Sequence, residues 1–138
     1  MVGISSKVQR NVAVIDSKQN VVDAAQLMAE RYIGSVVVTA DAEVQGIFTE
    51  RDLMRVVAQQ LDPNKVKLAD VMRPDLAKVD MDESVDDCLQ IMRTRRCRHL
   101  LVFDGATMVG IISLRDLVAL MLEEKEELVS QLTQYITS

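Results

Sequence analysis

Thr49 and Ser113 each carry a hydroxyl three places before an aspartate, Asp52 and Asp116, and each follows a Gly-Ile pair. The two stretches are Gly46-Ile47-Phe48-Thr49-Glu50-Arg51-Asp52 and Gly110-Ile111-Ile112-Ser113-Leu114-Arg115-Asp116. A hydroxyl beside the free amides of a helix N-terminus suits a phosphate, and a nearby carboxylate accepts two hydrogen bonds from ribose hydroxyls. Together these groups describe a nucleotide seat. The same T-x-x-D and S-x-x-D spacing is also a capping box, which explains hydroxyl and carboxylate without any ligand. Capping does not require Gly46 and Gly110 in the preceding strand, where a missing side chain marks close approach of a ligand or of another backbone. Nor does it require Arg51 and Arg115, although an exposed helical arginine is common.

The elements that position these residues are written twice. Laying residues 21–57 over 85–121, a shift of 64, gives 12 identities in 37 pairs without a gap, so the chain is a duplication. The apolar pattern stays in phase upstream, with Ile4 over Leu68, Val8 over Met72 and Ile15 over Val79. Asn20 and Ser84 are N-cap residues, followed by apolar residues at helical spacing. Next come "SVVVTADAEVQGIFT" and "HLLVFDGATMVGIIS", each two apolar runs around a turn, which predicts a hairpin. A second helix starts near Glu50 or Leu114, and the first copy stops before "LDPNK". Each unit reads strand-helix-strand-strand-helix. The fold class is therefore α+β, with one such unit stacked on its copy to complete a core.

Composition narrows the function classes. With 49% hydrophobic and 27% charged residues the 138-residue chain is globular, and its net charge of -5 argues against general affinity for nucleic acid. No run approaches the roughly 20 apolar residues of a membrane span, and the N-terminal stretch lacks a signal-peptide core, so a cytoplasmic location is expected. Cys88 and Cys97 lack zinc spacing and read as buried thiols. Cys97-Arg98-His99 would place a thiol and an imidazole on one face if that segment is a strand, but nothing plainly orients the base, and no enzyme is expected. No metal site or catalytic cofactor is expected either. Scarce aromatics leave little for a base-stacking platform.

With both G-h-x-[ST]-x-x-D motifs in register inside a duplicated unit, and "LADVMRP" opening the second, the chain resembles a tandem pair of CBS domains, a Bateman module, in a stand-alone protein. The resemblance covers about Ile4 to Met121. It implies two repeats packed about a pseudo-twofold axis, with clefts that bind adenosine-containing ligands: AMP, ADP, ATP, NAD, S-adenosylmethionine or cyclic dinucleotides. It further implies that Asp52 and Asp116 hold ribose hydroxyls, that Thr49 and Ser113 contact ribose or phosphate, and that Ile15 and Val79 flank adenine. Residues 1–64 form repeat 1 (core about 4–57, linker 58–67), 65–122 repeat 2, and 123–138 a C-terminal helical extension. The implied function is regulatory: ligand occupancy is passed to an effector protein. The alternative is an assembly module with vestigial clefts.

The copies differ. Where the first has "RYIGS" the second has "RRCRH", placing Arg98 and His99 just before the central strand. In some relatives of this kind these positions reach phosphates, whereas Arg95 and Arg96 read as a solvated turn. Met28, Met54, Met72, Met92 and Met121 fall at apolar positions of the pattern and read as core. Leu128, Leu132, Tyr135 and Ile136 continue an apolar stripe beyond the second repeat, and a homodimer is expected in which this tail packs on its own or the neighbouring subunit.

Overall fold

The computed structural model describes residues 3–74 and 77–137. Its elements run η1 (Ser5–Lys7), β1 (Val14–Asp16), α1 (Val21–Arg31), β2 (Ser35–Ala40), β3 (Glu43–Thr49), α2 (Glu50–Ala58) and α3 (Leu68–Val71). They continue with β4 (Lys78–Asp80), α4 (Val85–Arg95), β5 (His99–Asp104), β6 (Thr107–Ser113) and α5 (Leu114–Thr137). Two three-stranded sheets result, β1-β2-β3 and β4-β5-β6, each with a parallel first pair and an antiparallel hairpin. The duplicated order predicted from periodicity is the observed one.

Local chemistry explains where the helices begin. Asn20 accepts from the Asp23 amide while Asp23 accepts from the Asn20 amide, and Ser84 accepts from the Asp87 amide. Both of these helices close with a left-handed residue, Tyr32 and Arg96, themselves 64 positions apart.

The compact units are cut differently from the sequence repeats. One comprises Val12–Leu76; the other joins Met1–Asn11 to Ala77–Ser138. In the first, Leu68 and Met72 pack with Ile15, Val21, Val38 and Phe48. In the second, Ile4 and Val8 pack with Val79, Val85, Val102 and Leu117. The first residues of each repeat, its lead-in, thus complete the core of the other copy, and the lead-in backbone makes the join. Ile47 and Arg73 exchange two hydrogen bonds (3.1 and 2.9 Å), as do Gln9 and Ile111 (2.8 and 3.0 Å). A shift of 64 places fixes the period but not which copy receives the lead-in.

Two of the five methionines read as core lie elsewhere. Met28 and Met92 are buried and Met72 is half-buried against the first core, but Met54 is 63% exposed and Met121 44%. Helix α2 turns Asp52 and Val56 inward, which leaves Met54, Val57 and, just beyond it, Leu61 outward. Helix α5 buries Leu117 and Leu120 and exposes Val118, Met121 and Leu122. Both helices therefore carry a second apolar face. From Met121 to Ile136 every residue of α5 is exposed, including Leu128, Val129, Leu132, Tyr135 and Ile136; Ser138 lies outside the described residues. A surface ion pair, Lys7 Nζ to Glu123 Oε1 at 2.9 Å, ties η1 to this helix.

Candidate functional site

Each seven-residue motif crosses from the third strand of a sheet into a helix, and its side chains close a capping box. Thr49 N and Oγ1 both donate to Asp52 Oδ2 (2.9 and 3.0 Å), and Asp52 N returns a bond to Thr49 Oγ1 at 3.3 Å. Ser113 and Asp116 repeat this with 2.9, 2.9 and 3.2 Å. The capping reading therefore holds in both copies. It engages only one oxygen of each carboxylate.

The glycines serve backbone approach. A Cβ at Gly46 would lie 2.6 Å from the Arg73 carbonyl oxygen and 2.8 Å from Met72 Sδ. At Gly110 it would meet the Gln9 carbonyl oxygen and sit 2.7 Å from Val8 Cγ1. No side chain fits where the lead-in crosses the strand. Of the two readings of these glycines, close approach of another backbone is the one the packing bears out.

Sheet register gathers the other candidates. His99 pairs with Ser113 across β5 and β6, and the Arg98 carbonyl accepts from the Leu114 amide at 2.8 Å, so the backbone of Arg98 and His99 runs beside that of Ser113 and Leu114. In the first copy Ser35 pairs with Thr49, and Gly34 O accepts from Glu50 N at 3.0 Å. Arg98 is exposed and His99 half-buried. Arg51 and Arg115 are exposed on the first turn of their helices. Ile15 and Val79 are buried in the two cores between exposed neighbours, so neither offers more than a sliver of surface to a ligand.

Three residues that sequence reasoning passed over complete the two carboxylates. Asp52 Oδ1 faces Arg55 Nη1 at 3.4 Å and Arg73 Nε at 3.7 Å, and the aspartate is only 4% exposed. Asp116 is half-buried, and its Oδ2 accepts from Gln9 Nε2 at 2.9 Å. Gln9 and Arg73 are themselves 64 places apart, so extending the repeat upstream would have paired them.

The Cys97 and His99 arrangement lacks its premise, because β5 begins at His99 and Cys97 precedes it, donating its amide to Met92 O. Burial, and then the carboxylates of Glu83 and Asp87, push the Cys88 thiol up to about 11, which keeps it protonated and unreactive at neutral pH. Among the described residues no group of three His, Cys, Asp or Glu is arranged to hold a metal ion. Nor is any helix there long and apolar enough to cross a membrane. An open cavity of about 500 Å3 lies at the hairpin end of the second sheet, lined by Lys78, Val79, Glu83, Ile91 and Phe103 among others. It shares Val79 with the candidate site and none of the motif residues.

Comparison with known proteins gives this geometry a family. The CBS domain family model matches twice, at residues 4–59 and 68–123. A CBS domain-containing protein of Bacillus subtilis, YhcV, is 29% identical over 85% of this chain and 84% of its own. The structure of a putative signal-transduction protein with CBS domains from Burkholderia ambifaria is 35% identical, with a TM-score of 0.77 over 83% of this chain and 85% of that one. A CBS domain protein from Pyrobaculum aerophilum, solved in complex with AMP, is 26% identical, with a TM-score of 0.76 over 88% and 97%. With both matches centred on the repeated units, the chain belongs to the CBS domain family and carries two CBS domains.

Proposed function

We propose that this protein is a non-catalytic regulatory module that binds an adenosine-containing ligand of the AMP, ADP, ATP, NAD or S-adenosylmethionine class and signals its occupancy to an effector protein in the cytoplasm. The observation that carries the reading is the state of Asp116. Ser113 fixes its carboxylate, Oδ1 accepts no hydrogen bond among the described residues, and the side chain remains partly open to solvent. A ribose diol there would meet an acceptor already held in place, and Arg98 and His99, whose backbone runs beside Ser113 and Leu114, would receive a phosphate. The AMP complex of the Pyrobaculum relative supports the ligand class. A thermal-shift panel of adenosine, AMP, ADP, ATP, NAD and S-adenosylmethionine tests it, since ligand at 100 times its dissociation constant adds about 2.7 kcal/mol.

Assembly is a second reading with its own observation. The outward faces of α2 and α5 expose Met54, Val57, Val118, Met121 and Leu122, and the end of α5 exposes a further apolar stripe. Pairing of two copies would bury these faces. A homodimer is compatible with ligand binding, so the two readings exclude each other only if no adenosyl ligand binds.

A further inference from the structure

We infer that the two motif aspartates have different roles: Asp116 alone seats ribose, while Asp52 is a structural carboxylate locked under Arg55 and Arg73, so one chain takes one adenosine-type ligand. This rests on the adenosyl-binding reading above and specifies which copy performs it.

Four pairs of positions related by the shift of 64 set the two copies apart. The carboxylates and their hydroxyl caps match, Thr49-Asp52 with Ser113-Asp116. What surrounds them does not. Position 55 is arginine and its counterpart 119 is alanine; position 73 is arginine and its counterpart 9 is glutamine. Both cations are therefore missing from the second copy, at two separate places in the chain.

The physical consequence falls on the second carboxylate oxygen. In the first copy Oδ1 of Asp52 is the atom facing both guanidinium groups, and the residue has almost no exposed surface. A diol could reach it only by displacing both arginines, exchanging contacts from two cations for hydrogen bonds from uncharged hydroxyls. In the second copy the extra partner is a neutral amide, Gln9 Nε2, and it bonds the same Oδ2 that Ser113 already uses. Among the described residues nothing bonds Oδ1, which leaves it for a ligand. Gln9 is exposed and offers a donor and an acceptor, so its amide can turn to a ribose hydroxyl at the cost of one hydrogen bond from an uncharged donor.

Calorimetric titration of adenosine into the full chain tests the assignment, because a ligand without phosphate gains nothing from the arginine charges. One site per chain is expected. Asp116→Asn should weaken adenosine by about tenfold or more, and Asp52→Asn, corrected for the folded fraction, should stay within about twofold of wild type. Two equivalent sites per chain, or an Asp52→Asn loss equal to that of Asp116→Asn, overturns it. Should Asp52→Asn fail to fold, the stoichiometry still decides. So does the transplant Gln9→Arg with Ala119→Arg, which rebuilds the lock over Asp116. About tenfold weaker adenosine binding is expected of that double variant, and unchanged affinity overturns the assignment. If adenosine, AMP, ADP, ATP, NAD and S-adenosylmethionine all fail to bind wild type, the adenosyl reading itself fails and takes the assignment with it. Binding governed by Asp52 removes the assignment alone.

Discussion

The carbonyl oxygen of Arg73 occupies the space that a side chain on Gly46 would need, 2.6 Å from where its Cβ would be. Gln9 stands in the same relation to Gly110. The obstacle in each case is backbone held by two hydrogen bonds, which cannot swing aside as a flexible side chain would. Gly46→Ala and Gly110→Ala should each lose about 1 to 3 kcal/mol of stability by overpacking. Urea midpoints of the two variants measure this, and unchanged midpoints would mean that the lead-in does not pack on the strand.

The hairpin turns differ in a way that a single substitution reads out. Between β2 and β3 the two loop residues, Asp41 and Ala42, both have positive φ (52° and 64°), the signs of a type I′ turn, and Ala42 pays a steric cost there. Between β5 and β6 the positive φ falls on Gly105, at 62°. Ala42→Gly should stabilise by about 0.5 to 1 kcal/mol, the relief of left-handed strain less the entropy of glycine. Gly105→Ala should destabilise by about 1 kcal/mol through the backbone alone, since an added Cβ there meets nothing within 4 Å. Thermal melts of both variants, shifting in opposite directions, check the pair.

Cys88 makes stability depend on alkaline pH. Its thiol titrates near 11 in the folded chain against 9.0 for an unperturbed thiol, with burial the first cause and the Glu83 and Asp87 carboxylates the next. The folded state therefore holds the proton longer than the unfolded state. The contribution is fully present below about pH 9 and is lost as pH rises through 11. Denaturant midpoints from pH 8 to 11 should fall more steeply for wild type than for Cys88→Ala. Equal slopes would show that the burial does not bear on the thiol.

Much of this was legible in the sequence. The repeat, the strand and helix order, and the caps at Asn20, Thr49, Ser84 and Ser113 all follow from period and spacing. These are local properties, set within a few residues of chain. Three things are not local. The lead-in exchange depends on which sheet Gln9 and Arg73 meet, the lock on Asp52 depends on Arg73 arriving from 21 residues away, and the exposure of Met54 and Met121 depends on which side of α2 and α5 the core lies. An apolar pattern shows that a face is sticky. It does not say whether the partner is the protein's own core.

The end of α5 supplies the test of assembly. Leu128, Leu132, Tyr135 and Ile136 all face solvent within the chain, Tyr135 at 83% exposure. Light scattering should give a dimer for the full chain at micromolar concentration, and truncation after Glu124 should weaken it. A full-length monomer would remove the dimer, and an unaffected truncation would move the contact to α2 and the start of α5.

The central claim, that the motif at Ser113 and Asp116 is a seat for an adenosyl ligand as well as a helix cap, is tested most directly by the melting temperature of the full chain with AMP, with GMP as control. The account predicts that AMP raises the melting temperature in a saturable way, GMP does so less, and Asp116→Ala abolishes the rise while remaining folded. At 100 times the dissociation constant the gain should be about 2.7 kcal/mol. No shift with AMP or any other adenine nucleotide at millimolar concentration would contradict it, leaving Thr49-Asp52 and Ser113-Asp116 as caps alone.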